Sequence, residues 1–306
     1  MAVPDFQSCM LPLMELASDG NEHTLEEARD NLAGRFNLTD ADRTELLPSG
    51  RQQRFSNRVA WAKVYLQQAG LLSSRRRAHF EITERGRQVL AQKPERVDIK
   101  LLDQFEEFRE FRSPARHGNG ALEQADLGHG AASEETPEET LEHAYQGLRA
   151  QLVEELLQKV KASSARFFET LVVELLLKMG YGRNRAEAGQ AIGRAGDEGI
   201  DGVISEDRLG LDVVYIQAKR WDSTVGRPEV QKFVGALHGK RARKGVFITS
   251  GTFSAEAADY VSRIDPRVVL VDGRQLAQFM IDFDLGVTVK ASYDVKRIDS
   301  DFFIEE

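Results

Sequence analysis

The chain has 306 residues, 41% of them apolar and 29% charged, which is enough for two domains that each bury their own core. Its single cysteine, Cys9, excludes a disulfide framework and any CxxC-type zinc or redox motif, and no apolar run reaches the roughly 18 residues of a membrane span. The formal net charge of −8 conceals a segregation: Arg43–Arg96 carries twelve Lys/Arg against four Glu (+8), whereas Asp98–Glu142 carries four against twelve Asp/Glu (−8), so overall acidity does not exclude a nucleic-acid partner.

The N-terminal stretch MAVPDFQSCMLPLMELASDG lacks a cationic n-region, and a cytoplasmic protein is expected. Residues 1–97 read as mostly helical. Phe6, Met10, Leu13 and Leu16 recur at helical spacing. A second helix starts near Thr24 with Leu25, Ala28 and Leu32 on one side, and a third runs from a Thr39 cap to Leu47 before Pro48. RFSNRVAWAKVYLQQAG then lines up Phe55, Val59, Ala62 and Leu66, with Gly70 as the stop. LLSSRRRAHFEIT is two short apolar runs around a cationic tip, and Thr83 caps a further helix. Helices, a longer helix, a basic hairpin and a final helix form the order of a winged helix-turn-helix. In that fold the longer helix enters the major groove while the wing reaches phosphates. Arg54, Asn57, Arg58 and Ala60 fall off the apolar stripe as candidate readers, and Arg75, Arg76 and Arg77 form the wing tip. The alternative is a small helical interaction domain with a solvated basic face. Three consecutive arginines at a hairpin tip favour DNA.

Residues 98–142 read as an acidic flexible linker. Phe105, Phe108 and Phe111 could pack a short helix, but HGNGALEQADLGHGAASEETPEET has no core pattern. Lying beside the basic domain, this acidic stretch is expected to cover it when DNA is absent. The second domain, 143–306, opens on a long amphipathic helix to Lys161. A strong helix capped by Ser163 or Ser164 follows, then two strands around a turn at Glu206–Gly210. Alternating helices and strands end at GRQLAQFMIDF. The resulting αββαβαβα order implies an α/β domain with a mixed central sheet.

Within that domain, Gln217 and Lys219 stand two apart on the strand VVYIQAKRW and so leave the sheet on one face. If the Glu206–Gly210 turn folds the strands back, Asp201 lies beside them. A carboxylate, an amide oxygen and the Ala218 carbonyl are hard oxygen donors of the kind Mg²⁺ takes. Lys219 supplies positive charge for a phosphoryl transition state. Asp-Gly alone is usually a turn and QxK alone usually a solvated strand end, but a Gln and a Lys inside a buried run are costly unless they serve a site. Glu169, at the flank of the stripe Phe168, Val172, Leu175 and Met179, is either an acid that reaches the metal or an ordinary boundary glutamate. Ser250-Gly251-Thr252 is a phosphate cradle or, more simply, a strand-to-helix turn. Asp197 and Glu198 are read as loop residues, and the six histidines lack ligand spacing. No GxxxxGK[ST] motif is present, so no nucleotide cofactor is expected.

Together FFE at 167–169, MGY at 179–181, GIDG at 199–202, YIQAKRW at 215–221, VFITSGTFSAEA at 246–257 and LVDGRQLAQFM at 270–280 resemble the catalytic domain of Mrr-type restriction endonucleases, members of the PD-(D/E)xK nuclease superfamily. ITERGR at 82–87 is similar to the N-terminal domain of the same family, so the resemblance spans about residues 1–93 and 163–290. It implies a Mg²⁺-dependent, modification-dependent (type IV) endonuclease that cuts double-stranded DNA carrying methylated adenine or cytosine. The family's metal aspartate falls on Asp201, its (D/E) position on Gln217, its lysine on Lys219, and the superfamily's helix glutamate on Glu169. Gln217 departs from the acid of most superfamily members, although Mrr-like sequences commonly carry Gln there. Cutting both strands with one site per chain implies a homo-oligomer. Two alternatives are a non-catalytic DNA-binding regulator and a structure-specific repair nuclease.

Overall fold

Side-chain caps set the starts of two N-terminal helices in the computed structural model, which describes residues 2–74, 76, 79–112, 134–182, 199–207, 209 and 211–296. Thr24 and Glu27 form a reciprocal capping box for α2 (Leu25–Arg35), and Thr39 and Asp42 do the same for α3 (Asp40–Thr44). α1 (Met10–Leu16) precedes them and α4 (Arg54–Gln68) follows. Gly70, at φ +69°, takes the left-handed turn that ends α4. β1 (His23–Thr24), β2 (Leu72–Ser73) and β3 (His79–Ile82) make an antiparallel sheet in the order β1-β3-β2, and α5 (Glu84–Ala91) begins at the Thr83 cap. α3 ends sooner than Leu47, because Leu46 bridges to Gln53 and the Leu47 N–H donates to the Gln52 carbonyl.

The chain forms two compact units, one ending at Gln146 and the other covering Gly147–Lys296. In the first, Phe6, Met10, Leu13, Leu32, Leu66 and Phe80 are fully buried, each contributing about 1.5–3 kcal/mol of hydrophobic stabilisation. The start of the expected linker belongs to this core. α6 (Ile99–Leu102) and α7 (Glu106–Arg112) insert Ile99, Leu102 and Phe108 into it, and Tyr65 meets Phe6, Phe108 and Phe111 edge-on at ring distances of 5.2, 5.5 and 6.0 Å. The acidic composition masked three inward positions, since the charges lie on the outer side of short helices. α8 (Pro137–Ala162) starts within the other end of the expected linker; positions 113–133 lie outside the described residues.

In the second unit, β4 (Gly202–Ser205), β5 (Val213–Lys219), β7 (Lys244–Thr249) and β9 (Arg267–Val271) form a sheet in the order β4-β5-β7-β9. β4 is antiparallel to β5 and the other neighbours are parallel, so the sheet is mixed. A separate parallel pair joins β6 (Thr224–Val225) to β8 (Thr252–Phe253). α9 (Ala165–Lys178), capped by Ser164, packs with α8 and α12 (Gly273–Asp282) on the face carrying Val214, Ile216 and Ala218. α10 (Arg227–Gly239) and α11 (Ala255–Val261) supply the opposite layer, where Phe233, Leu237 and Phe247 are buried with Tyr215 against them. β5 is therefore covered on both faces, as its apolar run implied. Among the described residues no helix is long and apolar enough to cross a membrane.

Candidate active site and DNA-facing surface

The hairpin register decides where Asp201 falls. Gly202 is opposite Ile216, so β4 ends there, and the Asp201 N–H still donates to the Ile216 carbonyl at 2.9 Å. The Asp207 carboxylate stabilises the turn between the strands by accepting the N–H groups of Leu209, Leu211 and Asp212. One residue beyond the ladder, Asp201 turns its carboxylate to β5: Oδ2 accepts the Ala218 N–H at 2.8 Å and Lys219 Nζ at 3.4 Å. The Ala218 carbonyl lies on the same strand edge as its N–H, past the end of β4. Asp201 and Lys219 keep part of their surface open to solvent.

Gln217 is only 5% exposed, and among the described residues its Oε1 has no hydrogen-bond partner. An orphaned buried carbonyl oxygen costs about 1–3 kcal/mol. Gly199, at φ +97°, lies against the other end of this amide; a Cβ there would sit 3.3 Å from Nε2. Asp201, Gln217, Ala218 and Lys219 are thus gathered at one end of the sheet. Their oxygens make a hard donor set with a single negative charge, and among the described residues no group of three or more His, Cys, Asp or Glu is placed to hold a metal. Glu169 is half-buried on α9, in the helix layer opposite the face of Gln217 and Lys219. No hydrogen bond or ion pair among the described residues joins it to Asp201, Gln217 or Lys219. Asp197 and Glu198 lie outside the described residues. Spacing alone did not single out Thr249, which is fully buried beside Lys219.

On α4 the expected readers are covered. Asn57 is 1% exposed: its Oδ1 accepts the Thr136 hydroxyl at 2.7 Å, and its Nδ2 donates to Gln52 Oε1 at 3.3 Å and to Glu138. Arg58 binds Glu139 through Nε at 3.0 Å and donates to the carbonyls of Val3 and Pro4 at 2.7 and 3.0 Å. Arg54 pairs with Glu45 at 2.6 Å and reaches Glu139 at 3.7 Å, and Ala60 is half-buried. A helical wheel sees only its own helix, whereas here the capping box of Thr136 and Glu139 at the start of α8 returns over α4. Burial also lowers the pKa of Lys63 from the usual lysine value. Of the wing-tip arginines, Arg76 is 73% exposed and pairs with Glu22 at 2.5 Å, while Arg75 and Arg77 lie outside the described residues.

Comparison with known proteins matches residues 160–280 to a family model described as a restriction endonuclease, the Mrr catalytic model, and residues 6–92 to the Mrr N-terminal domain. The chain is 34% identical to the type IV methyl-directed restriction enzyme EcoKMrr of Escherichia coli (strain K12), over 99% of this chain and 100% of that one. Among solved structures it is similar to the MspJI restriction endonuclease in complex with a 27-mer oligonucleotide, with 24% identity and a TM-score of 0.33 over 43% of this chain and 31% of the other. It is also similar to the DNA modification-dependent restriction endonuclease AspBHI, with 18% identity and a TM-score of 0.34 over 45% of this chain and 36% of that one. The chain thus spans about a third of each of these two structures.

Proposed function

This chain belongs to the Mrr family of restriction endonucleases, and from that premise we propose that it is a Mg²⁺-dependent, methyl-directed endonuclease of double-stranded DNA. The observation that carries the reading is the Asp201 carboxylate on the Lys219 ammonium at one sheet end, with the buried Gln217, whose Oε1 lacks a partner among the described residues, two residues before that lysine on the same strand.

The donor set fits Mg²⁺: Asp201, Gln217 Oε1 and the Ala218 carbonyl would hold it, and an ion there would give the orphaned oxygen its missing partner. When bound, the ion polarises the scissile phosphate and lowers the pKa of a coordinated water. Lys219 neutralises charge growing on the phosphoryl oxygens and orients the attacking water. Asp201 fixes the lysine by accepting its ammonium, and it accepts the Ala218 N–H, which holds the carboxylate against β5. With one protein charge in the set, these residues alone would hold the ion weakly, and its binding would be strengthened by DNA.

In this reading the first unit is a winged helix-turn-helix, supported by the helix order and the β1-β3-β2 sheet, and Arg75, Arg76 and Arg77 contact phosphates. DNA reaches Arg54, Asn57 and Arg58 only by displacing Thr136–Glu139, whose carboxylates occupy the positions phosphate and base edges would take. The protein acts in the cytoplasm as a homo-oligomer, one site per strand. The test is cleavage of one plasmid prepared methylated and unmethylated, in Mg²⁺ and in EDTA. Cutting confined to methylated DNA in Mg²⁺ is expected. Equal cutting of both preparations would remove the methyl-directed part, and no cutting with retained DNA binding would favour a regulator.

A further inference from the structure

β5 stops at Lys219, and three donors converge on the carbonyl oxygen of that residue. Thr249 Oγ1 donates at 2.8 Å, the Trp221 N–H at 3.0 Å and the Ser250 N–H at 3.3 Å. The Ser250 bond is the ordinary rung of a parallel ladder. The other two are additions that fix the direction of the carbonyl and hence the plane of the peptide that follows.

Thr249 stands opposite Lys219 in the β5–β7 register and is 0% exposed. Its hydroxyl is used twice, since Oγ1 also accepts the Gly251 N–H at 3.1 Å. Ser250 Oγ donates to the Trp221 carbonyl at 2.9 Å, and a Cβ on Gly251 would lie 2.2 Å from the Ser223 carbonyl oxygen. Thr249–Gly251 therefore grips the chain from Lys219 to Ser223. The Ser250-Gly251-Thr252 segment is a turn rather than a phosphate cradle, because the Gly251 N–H is already spent and Ser254 caps α11. In the buried run VFIT a valine would fill the last position as well as threonine. The hydroxyl is what a valine lacks.

We infer that Thr249 is a positioning residue for Lys219, its hydroxyl holding the lysine's backbone so that the ammonium meets the scissile phosphate beside Asp201. Lysine carries its charge on a flexible four-carbon stem. A small tilt at its Cα displaces Nζ, and misplacement by about 1 Å costs up to a hundredfold in rate. This role rests on the nuclease reading of Asp201, Gln217 and Lys219.

The test compares wild type, Thr249→Val, Thr249→Ser and Lys219→Ala in single-turnover cleavage of methylated plasmid in Mg²⁺, alongside DNA affinity in EDTA and thermal melting. Thr249→Val is expected to lose roughly tenfold to a hundredfold in rate at saturating DNA. Its DNA affinity stays unchanged, and Thr249→Ser recovers most of the rate. Should the valine variant not fold, Thr249→Cys replaces it, since a thiol hydrogen-bonds only weakly. Wild-type cleavage by the valine or cysteine variant, or a serine variant as slow as valine, would overturn the role of Thr249 while inactive Lys219→Ala leaves the site standing. Full cleavage by Lys219→Ala would overturn both.

Discussion

Asn57 on α4 and Gln217 on β5 are both buried amides, yet they differ in what their polar atoms meet. Asn57 has its oxygen on Thr136 and its nitrogen on Gln52 and Glu138, whereas among the described residues the Gln217 oxygen is left without a partner. The first arrangement is a joint in the scaffold. The second carries a standing cost that an ion held there would remove. Burial marks both residues, and only the pairing of their atoms tells them apart.

The largest effect falls on the site around Gln217. Asp201→Ala and Lys219→Ala should each reduce cleavage of methylated plasmid by about a thousandfold, with melting temperature little changed, because both side chains are partly solvated. A variant that cuts at the wild-type rate would break the assignment. Asn57→Leu should behave in the opposite way. It strands the buried Thr136 hydroxyl and takes one donor from Glu138, which keeps Trp61 Nε1, and unfolding in denaturant should show a loss of about 1–3 kcal/mol. Unchanged stability would mean that the joint is not formed in solution.

A smaller effect sharpens the picture of α4. Glu138→Gln combined with Glu139→Gln should tighten DNA binding about threefold to tenfold at low salt, since the Glu139 carboxylate that competes with phosphate for Arg54 and Arg58 and the Glu138 carboxylate beside Asn57 are neutralised. Affinity equal to wild type would show that DNA never displaces this segment. Smallest is the change expected at Cys9. Burial, followed by the charge of Asp5, pushes its thiol up to about 12. At pH 8 the native protein should therefore resist alkylation that the unfolded chain accepts, as mass spectrometry would show.

Much of the second unit was legible because its signals are local. The Glu206–Gly210 turn joins strands a few residues apart, so Asp201 could be set beside Lys219 from spacing alone. The apolar residues on both sides of Gln217 announced a strand buried on two faces. In the first unit the deciding contacts are remote. Thr136 and Glu138 lie about eighty positions from Asn57, and nothing in the periodicity of α4 announces a cover. Ile99, Leu102 and Phe108 were hidden in an acidic composition for a related reason, because three inward residues on short helices leave no extended pattern. The role of Thr249 was also out of reach, since a threonine ending an apolar strand reads as β propensity until its hydroxyl is seen on the Lys219 carbonyl.

The most direct test is Gln217→Leu, measured for melting temperature and for Mg²⁺-dependent cleavage of methylated plasmid on one preparation. Leucine fills a similar volume and removes the orphaned oxygen. The predicted result is a protein at least as stable as wild type whose cleavage has fallen by about a hundredfold. A variant that is destabilised and still cuts at the wild-type rate would contradict the account, because Gln217 would then be part of the scaffold and not of the site.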